Sequence, residues 1–332
     1  MAPLLFSLSA LVQMPMPLVS PMNEMEFPVE LKTIQKILVI GPAWIGDMMM
    51  AQTLFKLLKM RNPQVQIDVL ASSWTRQLIA CMPEVNQVID MPLGHGKLGL
   101  GARRVLGKSL AASGYEQAIV LPNSLKSALV PWFAGIPKRV GYSGELRTAV
   151  LTHALPKPSK KAKPPMIEWY GQLGAYSGEL LEFPVLNVEA GMGTAACTEF
   201  GLLPGFLALA PGAEFGPAKR WPAEHFAAVA IEFLLRNPLQ QVVLFGGPKD
   251  TAFCAEILSL LPVDLLSRAE SLAGKTSLAQ AMALMSAASQ LLTNDSGLMH
   301  VAAALNVQVH AVFGSSSPHH TPPLSNKAKV YY

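Results

Sequence analysis

The chain has 332 residues, enough for two domains at roughly 100–200 residues each. Hydrophobic residues make up 51% and charged residues 14%, which excludes intrinsic disorder, a state of low hydrophobicity and high charge. The net charge of +4 is too small to point to nucleic acid, although it suits an acidic substrate or an anionic membrane face, and three distant cysteines without a CxxC pair exclude a disulfide framework or zinc knuckle.

Residues 1–23 carry no charged side chain but include Pro3, Pro15, Pro17 and Pro21. The apolar run Leu4–Val12 is too short to span a bilayer, which takes about 20 residues. It also lacks the basic flank and small-x-small site of an export signal. Residues 1–35 therefore read as a disordered leader, or as a start placed ahead of Met22 or Met25.

The fold begins at Lys36–Ile40, a short apolar run with a turn behind it, the pattern of a buried parallel strand. Gly41–Asp47 turns the chain into a helix over Met48–Met60. Strand Val65–Leu70, helix Thr75–Cys81 and strand Val85–Asp90 follow. A glycine-rich loop over Gly94–Gly101 leads to helix Leu106–Ser113 and strand Gln117–Leu121. Such alternation is that of a doubly wound parallel sheet. It lapses up to Pro156–Pro165, whose lysines and prolines make a surface loop. Met166–Leu181 reads as helix. A second series runs strand Leu207–Ala210, helix His225–Leu235, strand Gln241–Phe245, helix Thr251–Leu260, helix Leu278–Ser289, strand Gln290–Thr293, helix Leu298–Leu305 and strand Val309–Phe313. The predicted class is α/β, with two Rossmann-like lobes over 36–183 and 184–332. Open parallel sheets bind ligands at the carboxyl ends of their strands, so two lobes facing across a cleft would each take one substrate.

Three turns carry the chemistry. Gly41-Pro-Ala-Trp-Ile-Gly46-Asp47 has the glycine spacing of a phosphate-binding loop, but Asp47 and Met48 stand where Lys and Ser or Thr are required. Ala43 in place of the middle glycine excludes a dinucleotide fingerprint. What remains is one carboxylate at a strand-to-helix turn, either a helix cap or a general base. Pro211-Gly212-Ala213 ends a strand and precedes Lys219-Arg220, which are either solvated or placed to neutralise a pyrophosphate. Asn294-Asp295-Ser296-Gly297 ends a strand and opens a helix. Its free N–H groups would hold an anion, with Gly297 letting phosphate approach, unless Asp295 or Ser296 is an ordinary cap. His300 follows about one turn later. Ala273-Gly274-Lys275-Thr276 looks like the tail of a phosphate loop, but neither the upstream glycine nor a preceding strand is there. No Asp-x-Asp, HExxH or GxSxG occurs, so no metal ligands are assigned.

The stretches Ile37–Asp47, Leu209–Phe226 and Thr293–Ser325 together resemble the bacterial ADP-heptose:lipopolysaccharide heptosyltransferases of glycosyltransferase family 9, over roughly residues 36–329. The resemblance implies the GT-B architecture, two Rossmann-like lobes facing across a cleft. It also implies inverting transfer of L-glycero-D-manno-heptose from ADP-heptose to the first heptose of the lipopolysaccharide inner core, at the cytoplasmic face of the inner membrane. On that reading Asp47 is the base. ADP lies on the second lobe, with its diphosphate at Ser296 and Gly297 beside Lys219. Gly212 and Ala213 offer N–H groups, Asp295 holds the turn, and His300 either faces the donor or is a packed histidine. Adenine is expected near Leu272–Thr276 and ribose near Gly247–Asp250. No cofactor is expected and metal is not essential, because Lys219 and the helix start screen the leaving charge. The acceptor is an anionic lipid-linked oligosaccharide, for which Asn123, Lys126 and Arg139 are the first candidates, with Arg103-Arg104 and Lys138 beside them. Lys157–Lys163 would touch an anionic membrane. The alternatives are a transferase acting on the heptose-free Kdo-lipid A acceptor, or a non-enzymatic bilobed sugar-binding protein, which would need export. The family runs on beyond the position of Tyr332, so the second sheet is expected to lack an element.

Overall fold

The computed structural model describes residues 34–332 apart from 95, 159–162 and 214–216. The leader and the centre of the Lys157–Lys163 stretch thus lie outside the described residues. The chain divides into two compact units, the first ending at Asn187 and the second running from Val188.

The first unit holds strands β1 (Lys36–Ile40), β2 (Gln66–Ala71), β3 (Gln87–Asp90), β4 (Gln117–Val120), β5 (Lys138–Tyr142) and β6 (His153–Leu155). Its helices are α1 (Ile45–Arg61), α2 (Arg76–Ile79), α3 (Leu100–Leu110), α4 (Leu125–Phe133) and α5 (Met166–Leu173). All strand pairs are parallel, in the order β3-β2-β1-β4-β5-β6. Leu38, Val39 and Ile119 are fully buried, as strands covered on both faces require. Helix α1 is buried over most of its length, from Met48 to Leu58. It packs on α5, and a Cβ at Gly174, just past α5, would lie 2.4 Å from Leu54 Cδ1. Helix α5 stops well short of the predicted Leu181. Gly174 caps it, Ala175 takes φ 59°, and Arg61 donates to the carbonyls of both at 2.6 Å.

Helix α4 and strands β5 and β6 occupy the stretch where the predicted alternation lapses. Pro131 sits inside α4. Strand β5 opens on Lys138-Arg139, and β6 has only three residues. None of the three shows a clean apolar period.

The second unit holds helices α6 (Met192–Glu199), α7 (Ala223–Arg236), α8 (Thr251–Ser259), α9 (Leu278–Ser286) and α10 (Gly297–Ala304). Its strands are β7 (Leu207–Ala210), β8 (Val242–Leu244), β9 (Ala269–Ser271), β10 (Gln290–Asn294), β11 (Gln308–Val312) and β12 (Ala328–Tyr331), parallel throughout in the order β12-β11-β10-β7-β8-β9. Leu209, Phe226, Leu244 and Leu292 centre its core. Strand β12 pairs with β11 from Val309↔Ala328 to Val312↔Tyr331. Strand β12 is thus an edge strand of this six-stranded sheet. No helix among the described residues is long and apolar enough to cross a membrane.

Candidate active site

In an open parallel sheet the crevice for ligands lies where the strand order reverses, because there the loops at the carboxyl ends diverge to opposite faces. In the first unit that point falls between β1 and β4. In the second it falls between β7 and β10.

At the first point Leu121 N–H donates to Ile40 O at 3.1 Å, so the turns leaving β1 and β4 start side by side. Gly41 N–H donates back to Leu70 O at 2.9 Å, and a Cβ there would fall 2.5 Å from Met48 Cε. Trp44 occupies the cap position of α1 with extended backbone, so Asp47 is not the cap residue. It lies in the first turn of the helix, half-buried, where the helix start favours a carboxylate. Trp74 Nε1 steadies the turn by donating to Ala43 O at 3.0 Å. Tyr170 of α5 is buried, and burial followed by the charge of Asp47 pushes its phenol well above the ordinary range.

After β4 come Leu121, Pro122, Asn123 and Ser124, and α4 begins with Leu125. Asn123 and Lys126 are half-buried at this turn. Arg139 is differently employed. It donates from Nε to Val150 O at 2.6 Å and from Nη1 to Ile136 O, fastening the chain around β5, and burial lowers its pKa. Arg103 likewise turns inward, donating to Leu98 O at 2.7 Å and Lys97 O at 3.3 Å. The first-unit residue that sequence reasoning misses is Arg147, which is fully buried and donates to Pro122 O at 2.7 Å. An arginine after a glycine turn carries no signal that it will be buried.

At the second point Thr293 Oγ1 donates to Ala210 O at 3.0 Å, and Asn294 Nδ2 donates to Pro211 O at 2.7 Å. Asn294 Oδ1 also accepts from Trp221 N–H at 3.0 Å. One asparagine thus joins the turn after β10 to both ends of the segment after β7. The two cations of Lys219-Arg220 separate. Lys219 Nζ lies 2.7 Å from Asp295 Oδ2, and Arg220 Nη2 lies 3.6 Å from Asp250 Oδ1. Neither is a solvated surface cation, their side chains being 22% and 30% exposed. Asp250, whose role at this turn the sequence does not signal, also accepts from Gly247 N–H at 2.9 Å. A Cβ at Gly212 would come within 2.6 Å of its carboxylate, so a side chain there would displace Asp250. Ala213 is buried beside it, and 214–216 lie outside the described residues.

Ser296 is the cap of α10. Its Oγ accepts from Met299 N–H at 3.4 Å and lies 3.1 Å from Thr293 Oγ1. Its hydroxyl is therefore engaged locally, and the N–H groups that follow, from Gly297 onward, are those an anion could use. Thr276 is half-buried just ahead of Ser277, which caps α9 in a reciprocal bond with Gln280. The loops after β8 and β9 are joined by Gly274 N–H donating to Gly246 O at 3.0 Å. These are the loops expected to hold the nucleoside.

His300 is 5% exposed, and its Nδ1 is buried without a hydrogen-bond partner. Burial lowers its pKa to about 4, with the charge of Asp295 opposing and that of Lys219 assisting. The unfolded imidazole titrates near 6.5. Between the two values the unfolded state binds more protons, so stability falls as pH falls through that window. The loss amounts to about 3 kcal/mol once the window is crossed. Denaturant titrations from pH 7 to pH 4 are expected to show this loss in the wild type and a flatter profile in His300→Gln. Parallel profiles would exclude a buried neutral imidazole.

The family model "Glycosyltransferase family 9 (heptosyltransferase)" matches residues 103–332. The chain is 49% identical over 306 residues to lipopolysaccharide heptosyltransferase 2 of Escherichia coli K12, covering 89% of this chain and 87% of that protein. It is 44% identical over 309 residues to lipooligosaccharide heptosyltransferase 2 of Haemophilus influenzae, again covering 89% and 87%. The solved structure of E. coli ADP-heptose lps heptosyltransferase II superposes with a TM-score of 0.82 at 46% identity, covering 89% of this chain and 90% of that one.

Proposed function

Since the chain belongs to glycosyltransferase family 9, the heptosyltransferases, we propose that it transfers L-glycero-D-manno-heptose from ADP-heptose, with inversion, to the first heptose of the lipopolysaccharide inner core. The observation that carries the reading is the second unit's switch point, where Lys219, Asp295 and the start of α10 converge. A leaving diphosphate needs donors that are already oriented when negative charge builds on it. Helix N–H groups after Ser296 supply them, and Asp295 aims the lysine.

On the first unit Asp47 takes the proton of the acceptor hydroxyl as that oxygen attacks the anomeric carbon. The bond to the ADP oxygen breaks, and the electron pair leaves with ADP. One base suffices, because inversion passes through no covalent intermediate. Asn123 and Lys126, on the neighbouring turn, contact the acceptor. With Lys219 and α10 stabilising the leaving group, metal is not essential, and EDTA should leave turnover unchanged. The reaction belongs to the cytoplasmic face of the inner membrane. Lys157 and Lys163 are suited to an anionic lipid surface, at about 1 kcal/mol per cation. Partitioning onto anionic liposomes that ignored salt would count against that contact.

Incubation with ADP-heptose and either heptose-free or mono-heptosylated core acceptor, read by mass spectrometry, tests the reading. One heptose is expected on the mono-heptosylated acceptor alone. Addition to the heptose-free core would assign the first transfer instead, and no addition to either would leave a sugar-binding protein.

A further inference from the structure

Arg147 lies in a short helical turn after β5, 0% exposed, and has no part in the chemistry above. Its guanidinium meets main chain and an amide. Nη1 donates to Pro122 O at 2.7 Å and to Asn123 Oδ1 at 3.5 Å, and Nη2 donates to Val120 O at 3.5 Å. Nε is buried without a partner. Burial lowers the group to about 10, with the charge of Glu145 opposing, so it remains a cation at neutral pH. A buried charge so incompletely matched costs stability. Its presence calls for an account of what it holds.

The fold makes room for it. A Cβ at Gly141 would lie 2.7 Å from Nη2. The preceding residues Gly144, Glu145 and Leu146 all have positive φ, at 128°, 45° and 58°, and the last two are in a conformation that disfavours a side chain. This backbone lets Glu145 Oε2 accept from Leu125 N–H at 3.1 Å, at the first residue of α4. One short segment thus grips the β4–α4 turn at both ends, Arg147 on its carbonyls and Glu145 on its helix start. Asn123 lies between the two grips.

A guanidinium carries donors only. The Asn123 amide therefore shows it oxygen, which leaves the NH2 for another acceptor. No acceptor among the described residues takes that NH2. The turn that bears it starts beside the one that bears Asp47. We infer that Arg147 is a positioning residue for acceptor recognition: it locks the Asn123 amide so that its NH2 meets an oxygen of the acceptor saccharide at the β1/β4 switch point. The inference rests on the acceptor reading proposed above.

A double-mutant cycle on the full chain tests it, with Arg147→Lys, Asn123→Ala and both together assayed against ADP-heptose and the mono-heptosylated acceptor. Arg147→Lys keeps the charge and loses the fork. Its acceptor KM should rise about tenfold, the effect of losing one hydrogen bond, with the ADP-heptose KM unchanged. If Arg147 acts through Asn123, the double variant is no worse than Asn123→Ala alone. The thermal transition serves as the folding control, and ADP binding, placed on the second unit in the reading above, should not change. An unchanged acceptor KM in Arg147→Lys, losses that multiply in the double variant, or a fall in kcat alone would each overturn the inference while leaving the function intact. A wild type inactive on this acceptor would overturn both.

Discussion

Asp47→Asn is expected to lower kcat by about 10²–10⁴-fold, the usual contribution of a general base, with ADP affinity unchanged. The amide keeps the shape of the side chain and loses its ability to take a proton. On the donor site proposed above ADP is held by the other unit, which is why its affinity should not change, and the thermal transition serves as the folding control. Asp47 is well placed for the role. It stands in the first turn of α1, half-buried. The residues that follow, Met48, Met49 and Met50, are 1% exposed or less, which anchors the start of the helix. The pH dependence of kcat/KM should lose its acidic limb in the variant. Near-normal turnover by Asp47→Asn with acceptor still bound would remove this residue from the chemistry.

Lys219→Ala is expected to weaken ADP binding by about 10²-fold, measured by calorimetry. The loss has two sources. One is a charge-assisted bond to the diphosphate, worth about 1.5–3 kcal/mol. The other is Asp295, whose side chain is only 9% exposed and which would then face the anion without its cation. Stranding a buried charge is often costlier than losing the contact itself. The second source can be isolated: Lys219→Ala with Asp295→Asn should recover part of the affinity, because the repelling carboxylate is gone. His300 offers an independent readout, since Lys219 helps to keep its pKa low. Removing the lysine should let the imidazole titrate at higher pH, visible by NMR. An ADP affinity within threefold of wild type in Lys219→Ala would refute this donor site.

The strands that a sequence reveals are those with unbroken apolar runs bounded by turns. Lys36–Ile40, Gln117–Leu121, Leu207–Ala210 and Gln290–Thr293 are legible for that reason, and they are the strands that carry the switch-point turns. Ala269–Ser271 was not, being three residues without a large apolar side chain. Helix α4 was hidden by Pro131, and β5 by its leading cations. The candidate site followed a similar division. Turns at strand ends can be read locally, so Asp47, Lys219 and Ser296 could be named from spacing. What each side chain touches is long-range. That Lys219 meets Asp295 76 residues on, that Arg220 meets Asp250, or that Arg147 underlies Asn123 is decided by strand order.

That strand order also fixes a sequence of events at the ribosome. The described elements of the first unit, β1 to α5, are contiguous along the chain, and every partner of β1 and β4 has been synthesised by the end of β6. The Asp47 and Asn123 turns can therefore be in place while the second unit is still to come. At about 5–20 residues per second residues 188–332 take roughly 7–30 s. The turn that carries Asp295 stays incomplete for most of that time, because β7 must wait for β10, separated from it by two strands and three helices. A nascent chain thus completes the turn that carries Asp47 well before the turn that carries Asp295.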